Sequence, residues 1–429
     1  MFVLFPGVVM SLGWAFRGFI GGGPLGAMIP GALVALALLW LLGRRDAGCG
    51  MVAAFGAVGI GFGGQMTYGQ TVGLASDWNT MGWGLLGLTV KGAVWGLLGG
   101  AVLGLALTPS RARPSRMLAG LAAMVLATWA GWATVNSPKW IYFSNPLDRP
   151  REEVWAGLLL GAVALLLWFA TRPRNRAVWR FAGYGCIGGG LGFGLGGALL
   201  AMGRNSTLDP QFWPWWKGME YTFGLLFGLA IGLAAWQERH ALRAHNGSHV
   251  SERAYQQAFR GWWLLAWVLL LTAGAISFEY FVSFRFNYTV LGAILLFVAL
   301  YVNALAWHIA VTLTSFAFLL DLAEGVGGDW KLAPLWLAVL GAALLTALLW
   351  RELESLRAQP AAAPQRAFYL LLWASFAVTS VKTLLQVWVR PHVPVEYAMF
   401  VVAMAGTHWL AGRLEASQPT RAGEAGYTG

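Results

Sequence analysis

Charge is scarce in this chain. Asp, Glu, Lys and Arg supply 11% of its 429 residues, against about 25% in an average soluble domain, and that excludes an ordinary soluble fold. Cysteine is nearly absent. Cys49 and Cys186 adjoin apolar segments and are too few for a disulfide framework or a metal-ligand spacing, so they read as packed thiols. The short motifs of common enzyme sites are missing as well, with no H-E-x-x-H, no G-x-S-x-G and no Walker A loop. GLGFG at 190–194 matches part of a dinucleotide fingerprint, but it lies inside an apolar run with no strand before it. No catalytic residue, cofactor or metal is therefore assigned.

What the chain has is apolar length. Hydrophobic residues make up 58%, and runs of about 17 to 25 of them, enough to cross a hydrocarbon core of roughly 30 Å, recur throughout. The fold class is all-α, a polytopic integral membrane helix bundle whose constant partner is membrane lipid. The formal net charge of +11 would suit nucleic acid if it were clustered. Instead Arg44 and Arg45, Arg111 to Arg116, Arg172 to Arg176, Arg239 to Arg260 and Arg351 to Arg366 occupy every second loop. That is the positive-inside pattern, so the basicity reports topology and nucleic acid is excluded as a partner.

Hydropathy places spans at 2–16, 24–42, 51–74, 83–107, 117–135, 154–171, 181–202 and 215–236, then at 262–281, 287–306, 307–322, 332–350, 368–388 and 397–414. The cut near Ala306 is set by parity, since Tyr288 to Leu320 has no polar loop inside it. Only with the cut does the Arg351 to Arg366 loop fall on the same side as the other basic loops. About fourteen spans follow, with both termini cytoplasmic in a bacterial inner membrane. MFVLFPGVVMSLGW lacks a basic n-region and an A-x-A site, so it reads as a retained first span.

Part of the chain is written twice. Phe55, GIGFGG, Lys91-Gly92, Gly96, Gly100 and Gly104 recur as Phe181, GLGFGLGG, Lys217-Gly218, Gly224, Gly228 and Gly232. Gly13-Trp14-Ala15 recurs as Gly131-Trp132-Ala133, and ALVALALLW ending at Trp40 recurs as GAVALLLW ending at Trp168. The unit is thus four spans long, and an even number gives two parallel copies, a 4+4 repeat over the first 236 residues. The expected segments are 1–116 and 117–236 for the repeats, a basic cytoplasmic loop at 237–260 and a third, degenerate four-helix segment at 261–350. A cytoplasmic linker at 351–366, a terminal helix pair at 367–414 and a disordered tail at 415–429 complete the chain. The echo of Trp216-Lys217 in Trp330-Lys331 is what suggests the third copy.

Candidate site residues are the polar groups that such a bundle must justify. Lys91 lies about 12 Å into its span at 1.5 Å per residue, where an ionisable group costs at least about 2.5 kcal/mol unless a cavity or a partner meets it. Lys217 holds the matching place with Glu220 three residues on, close enough to pair along the helix. In RGFIGGGPLGAMIPG, Arg17 precedes a helix start at Pro24 whose free N–H groups suit an anion, though a snorkelling arginine over a glycine turn explains the same letters. Gln65, Thr67, Tyr68, Gln70, Thr71, Arg204 and Asn205 gather at outer span ends and could wall a polar cavity. The glycine stripes read as close helix packing or as backbone offered to a solute. Outer-loop tryptophans fit the interfacial aromatic belt. His308, Asp321 and Glu220 are candidates for a coupling proton or an ion pair.

The expectation is a transporter of a small polar, anionic solute through a cavity at the repeat interface, bound by Arg17, Lys91, Gln65, Thr67, Tyr68, Gln70, Asn205 and Lys217; a homo-oligomer is compatible with it. Two alternatives stand beside it. A membrane enzyme acting on a lipid-linked or carbohydrate substrate would draw its acid and base from Asp77, Asp148, Glu152, Glu153 and Asp209. A non-catalytic scaffold would bury Lys91 against a carboxylate with no cavity beside it.

Overall fold

The computed structural model describes residues 1–417 except 47, 109–113, 146–150, 170–175, 209–211, 244–260, 282–285, 315–348, 360–361 and 389. Among them every regular element is helical. In chain order they are α1 (Leu4–Ile20), α2 (Gly23–Leu42), α3 (Cys49–Gly63), α4 (Gly69–Ser76), α5 (Met81–Leu107) and α6 (Pro114–Gly131), the last running into a π turn at Trp132–Asn136. There follow α7 (Trp155–Phe169), α8 (Arg176–Arg204), α9 (Trp215–Arg243), α10 (Gly261–Phe281), α11 (Asn287–Tyr301) and α12 (Asn303–His308) with a second π turn at Ile309–Leu313. Two long helices close the series, α13 (Ala363–Gln386) and α14 (Val393–Ala416).

Among the described residues six helices are long and apolar enough to cross a membrane, seven if α3 and α4 form one broken span. This is the composition and geometry of a multi-pass helical membrane protein. α2 is the most apolar of the six and is buried from Leu25 to Leu42, packed among α1, α3 and α13. It starts sharply because Gly23 takes a φ of 70° and Pro24 fills the first turn, and it stops at Gly43 with a φ of 66°. The stretch with the third lysine echo and Asp321 lies outside the described residues.

The glycine stripes are packing surfaces. A Cβ on Gly92, Gly96 or Gly100 of α5 would strike the carbonyl groups of Gly189, Gly185 or Phe181 on α8. On the other flank of α8, Gly188, Gly192 and Gly196 lie against the backbone of α9, and Gly224 and Gly228 of α9 lie against Met10 and Pro6 on α1 and Gly232 against Phe2 just before it. Four helices, α5, α8, α9 and α1, are thereby drawn together in a row at backbone contact. Lipid tails are as apolar as leucine, so dispersion between closely approached backbones replaces the hydrophobic drive that operates in water. The glycine backbone is covered by neighbouring helices, not presented to a solute.

The span expected at 51–74 is not one helix. It breaks between Gly63 and Gly69, and the two arms meet at 59°. Other helices pack into the break: Gly63 has the Trp95 ring of α5 against it and Gly64 has the backbone of Pro24 on α2, approaches that a side chain would prevent. The expected cut at Ala306 is also displaced, since the helix is interrupted at Val302, between α11 and α12.

Candidate functional site

The break between α3 and α4 frees backbone polar groups from the helical ladder, and where buried these must find partners. Lys91 supplies one. Its ammonium donates to the Thr67 carbonyl at 2.6 Å, to Thr71 Oγ1 at 2.8 Å and to Glu153 Oε1 at 2.7 Å, which uses all three of its protons. Glu153 is in turn held by the Ser144 hydroxyl at 2.9 Å and the Phe143 N–H at 3.2 Å. Lys91 and Glu153 are each 1% exposed. The pair is buried and satisfied, and it ties the break to α5 and to the start of α7.

The other expected residues around the break are engaged in the same way. Gln65 exchanges hydrogen bonds with Thr289 at the start of α11, its amide donating to the hydroxyl at 3.0 Å and its oxygen accepting the backbone N–H at 3.0 Å. Thr67 donates its hydroxyl to the Glu152 carbonyl at 3.1 Å, and Gln70 accepts the Arg151 N–H at 3.4 Å. Asn205 donates to the carbonyls of Ser76 and Ala201 at 3.1 and 2.9 Å. Lys217 pairs with Glu220 at 2.7 Å and reaches the Ala15 carbonyl at 3.4 Å.

Among the buried cations of the described residues, one has no carboxylate paired to it. Arg17 is 3% exposed and forms no ion pair with any carboxylate among the described residues. It donates through Nη1 to the Tyr68 hydroxyl, and its Nε has no hydrogen-bond partner. Its guanidinium carbon lies 5.2 Å from the Trp14 ring and 5.5 Å from the rings of Tyr68 and Trp95, cation–π distances that stabilise the charge partially. Beside it is a cavity of about 10 Å³, room for roughly one water molecule, lined by Trp14, Arg17, Tyr68, Trp95, Phe193, Met219, Glu220 and Phe223. The lining is drawn from α1, the α3–α4 break, α5, α8 and α9, so both halves of the first 236 residues contribute.

Of the expected site residues, Arg17, Tyr68 and Glu220 meet at this cavity; Lys91, Gln65, Thr67, Gln70, Asn205 and Lys217 do not line it. The α2 start expected to share an anion with Arg17 is also absent from the lining. Glu220 already accepts from Lys217 and, at 2.9 Å, from the Trp216 indole. His308 is buried elsewhere, stacked on Trp350 at 5.8 Å with neither ring nitrogen hydrogen-bonded. Asp321 lies outside the described residues.

The aromatic wall escaped sequence reasoning. Trp14 stands three residues before Arg17 on one helix face, a spacing visible in the letters. Trp95, Phe193 and Phe223 come from three other helices, and nothing in their spacing announces a shared cage. The carboxylates considered for an enzyme are spoken for: Glu153 by Lys91, Glu152 by the Trp132 indole at 2.7 Å, and Asp77 by the Asn79 N–H of its own turn at 2.9 Å. Asp148 and Asp209 lie outside the described residues.

Comparison with family models, with curated proteins and with solved structures finds no match.

Proposed function

We propose that this chain is a multi-pass transporter of a small anionic solute, with the binding site centred on Arg17. The observation that carries the reading is a buried guanidinium with no carboxylate paired to it and an unused N–H, beside a cavity. A buried cation costs several kcal/mol unless it is compensated, and aromatic faces return only about 0.5 to 2 kcal/mol. An anion that enters the cavity supplies the rest. Lys91, which sequence alone placed at the centre, becomes a positioning residue: it fixes the carbonyl of Thr67, next to the Tyr68 that holds Arg17.

In this reading the chain crosses the bacterial cytoplasmic membrane about fourteen times with both termini inside, as the basic loops indicate. The two parallel four-span units meet around the cavity, and their relative movement exposes it to either side. The test is anion flux in proteoliposomes of the full chain, with chloride, nitrate, formate, sulfate and phosphate each loaded on one side. Wild type moves at least one of them and Arg17→Gln does not. Unchanged flux in Arg17→Gln for every anion that wild type moves would refute the proposal.

A scaffold reading has one specific observation in its favour, the buried Lys91–Glu153 pair, neither member of which lines the cavity beside Arg17. It predicts that wild-type proteoliposomes move none of these anions.

A further inference from the structure

Among the described residues four acidic side chains are buried, Glu153, Glu220, Glu238 and Glu396. Three of them have a lysine or an arginine in ion-pair contact: Lys91 meets Glu153, Lys217 meets Glu220 and Arg180 meets Glu238. Glu396 has neither. Its carboxylate accepts no hydrogen bond from the described residues, and its ion-pair contact is with the imidazole of His392, at 3.9 Å.

Packing ties Glu396 to the Arg17 site. Phe400, four residues on along α14, stacks on Phe16 of α1 at 5.5 Å and lies 5.4 Å from Phe19, and the Lys217 ammonium stands 6.0 Å from the same Phe400 ring. The charges that act on Glu396 are Lys217 and Glu220 of α9, with His392 and Arg390 from the segment before α14. Tyr221 of α9 senses both Glu220 and Glu396. Of the other packed helices, α1 carries Arg17, and α13 carries Lys382, which donates to the Phe19 carbonyl at 2.7 Å. The Glu220 carboxylate in turn lies against Gly18, the residue after Arg17, where an added Cβ would strike it.

The charges therefore form a series. Arg17 is positive and has no carboxylate paired to it, Glu220 and Lys217 neutralise one another, and Glu396 is negative with no lysine or arginine paired to it. In net charge the two unpaired groups balance. An anion bound at Arg17 cancels its charge and leaves Glu396 as the excess. A buried ion without compensation costs several kcal/mol, and the amino end of α14, in whose first turn Glu396 stands, returns at most about 2 kcal/mol. A proton on the carboxylate removes the remaining cost. Solvent can deliver that proton: the Glu396 side chain keeps 9% exposure against 3% for Glu220, and His392 beside it is 32% exposed.

We infer that Glu396 is the proton-binding residue of this protein, that its protonation and anion binding at Arg17 favour one another, and that transport is proton–anion symport. This rests on the anion-transport reading and names its coupling ion. One O–H bond forms on the carboxylate as the anion enters and the same bond breaks as it leaves, so one proton crosses with each anion. Linkage is reciprocal, and acid tightens anion binding by the factor by which the anion favours the proton.

Two measurements on the full chain test this. The first is the infrared difference spectrum of the purified protein in detergent at constant pH and ionic strength, with methanesulfonate exchanged for chloride, nitrate, sulfate or phosphate, none of which has a carbonyl band. Wild type gains protonated-carboxyl C=O absorption saturably with at least one of them, and Glu396→Gln and Arg17→Gln gain none. The second is accumulation in proteoliposomes with the membrane potential held at zero by valinomycin and equal potassium. An outside more acid by one pH unit concentrates the transported anion inside about tenfold, the value for one proton per anion, and Glu396→Gln loses this accumulation. Wild-type flux without accumulation would overturn the symport and leave anion transport standing. Accumulation in Glu396→Gln equal to wild type, or a C=O gain that survives in that variant, would overturn Glu396 as the proton site. No flux together with no C=O gain overturns both readings. The wild-type gradient experiment decides the coupling without any variant.

Discussion

Removing the Lys91 ammonium should damage stability before it damages chemistry. Lys91→Met keeps the length of the side chain and deletes three hydrogen bonds, to Thr67, Thr71 and Glu153. Glu153 then stays buried with only Phe143 and Ser144 to meet its charge. Breaking one side of a buried pair costs about 3–5 kcal/mol, most of it from the charge left behind. The orphaned Thr67 carbonyl adds about 1–3 kcal/mol. Glu153→Gln should cost a similar 3–5 kcal/mol by stranding the ammonium. Were the two independent, the double variant would lose about 6–10 kcal/mol, much of the 5–15 kcal/mol that a folded domain possesses. With both charges gone there is no uncompensated ion, so Lys91→Met/Glu153→Gln should be more stable than either single variant. The assay is a double-mutant cycle on thermal midpoints in detergent, with the monodisperse fraction on size exclusion as a second readout. Additive losses, or a Lys91→Met variant as stable as wild type, would refute the assignment of Lys91 to a structural pair.

Arg17→Leu should behave in the opposite way, raising the thermal midpoint while abolishing anion flux, because it removes a buried charge that has no carboxylate to strand; a midpoint several degrees below wild type would contradict this. Gly96→Leu should prevent stable assembly, since even a Cβ there meets the Gly185 carbonyl on α8, and overpacking costs about 1–3 kcal/mol or more; a monodisperse, wild-type-like peak on size exclusion would count against backbone contact. Gly23→Ala should cost about 1–2 kcal/mol from its φ of 70°, although nothing crowds the position, and unfolding midpoints can read that loss. Tyr68→Phe frees the Arg17 Nη1 group of its hydroxyl partner and should lower anion flux several-fold at a cost of about 1–3 kcal/mol in stability; equal flux would remove Tyr68 from the site.

Much of the helical architecture was legible because its determinants are local. The onset of α5 near Met81 and of α9 at Trp215, and the stop of α2 after Leu42, follow from where apolar runs begin and where glycine or proline punctuates them. The glycine stripes announced close packing through their spacing alone. The breaks were not legible. Val302 lies in an apolar stretch with no polar loop, and at Gly63-Gly64, just before the polar Gln65 to Thr71 segment, Trp95 and Pro24 pack in from other helices. The site was half legible. Arg17, Tyr68 and Glu220 were named from their types and positions, but so was Lys91 for the same reason of depth, and depth cannot distinguish a cation that has a partner from one that lacks it.

By itself, then, the sequence determined a helical membrane bundle and the faces on which its helices could touch, since hydropathy and residue size act over a few turns of chain. Which buried charge is compensated was decided only in three dimensions. Glu153 lies sixty-two positions from Lys91 along the chain, and the α3–α4 break brings a carbonyl and a hydroxyl to the same ammonium. Among the described residues no carboxylate forms an ion pair with Arg17. Pairing inside a membrane depends on distances of a few ångströms between helices remote in sequence, and the row of glycine contacts from α5 to α1 sets those distances.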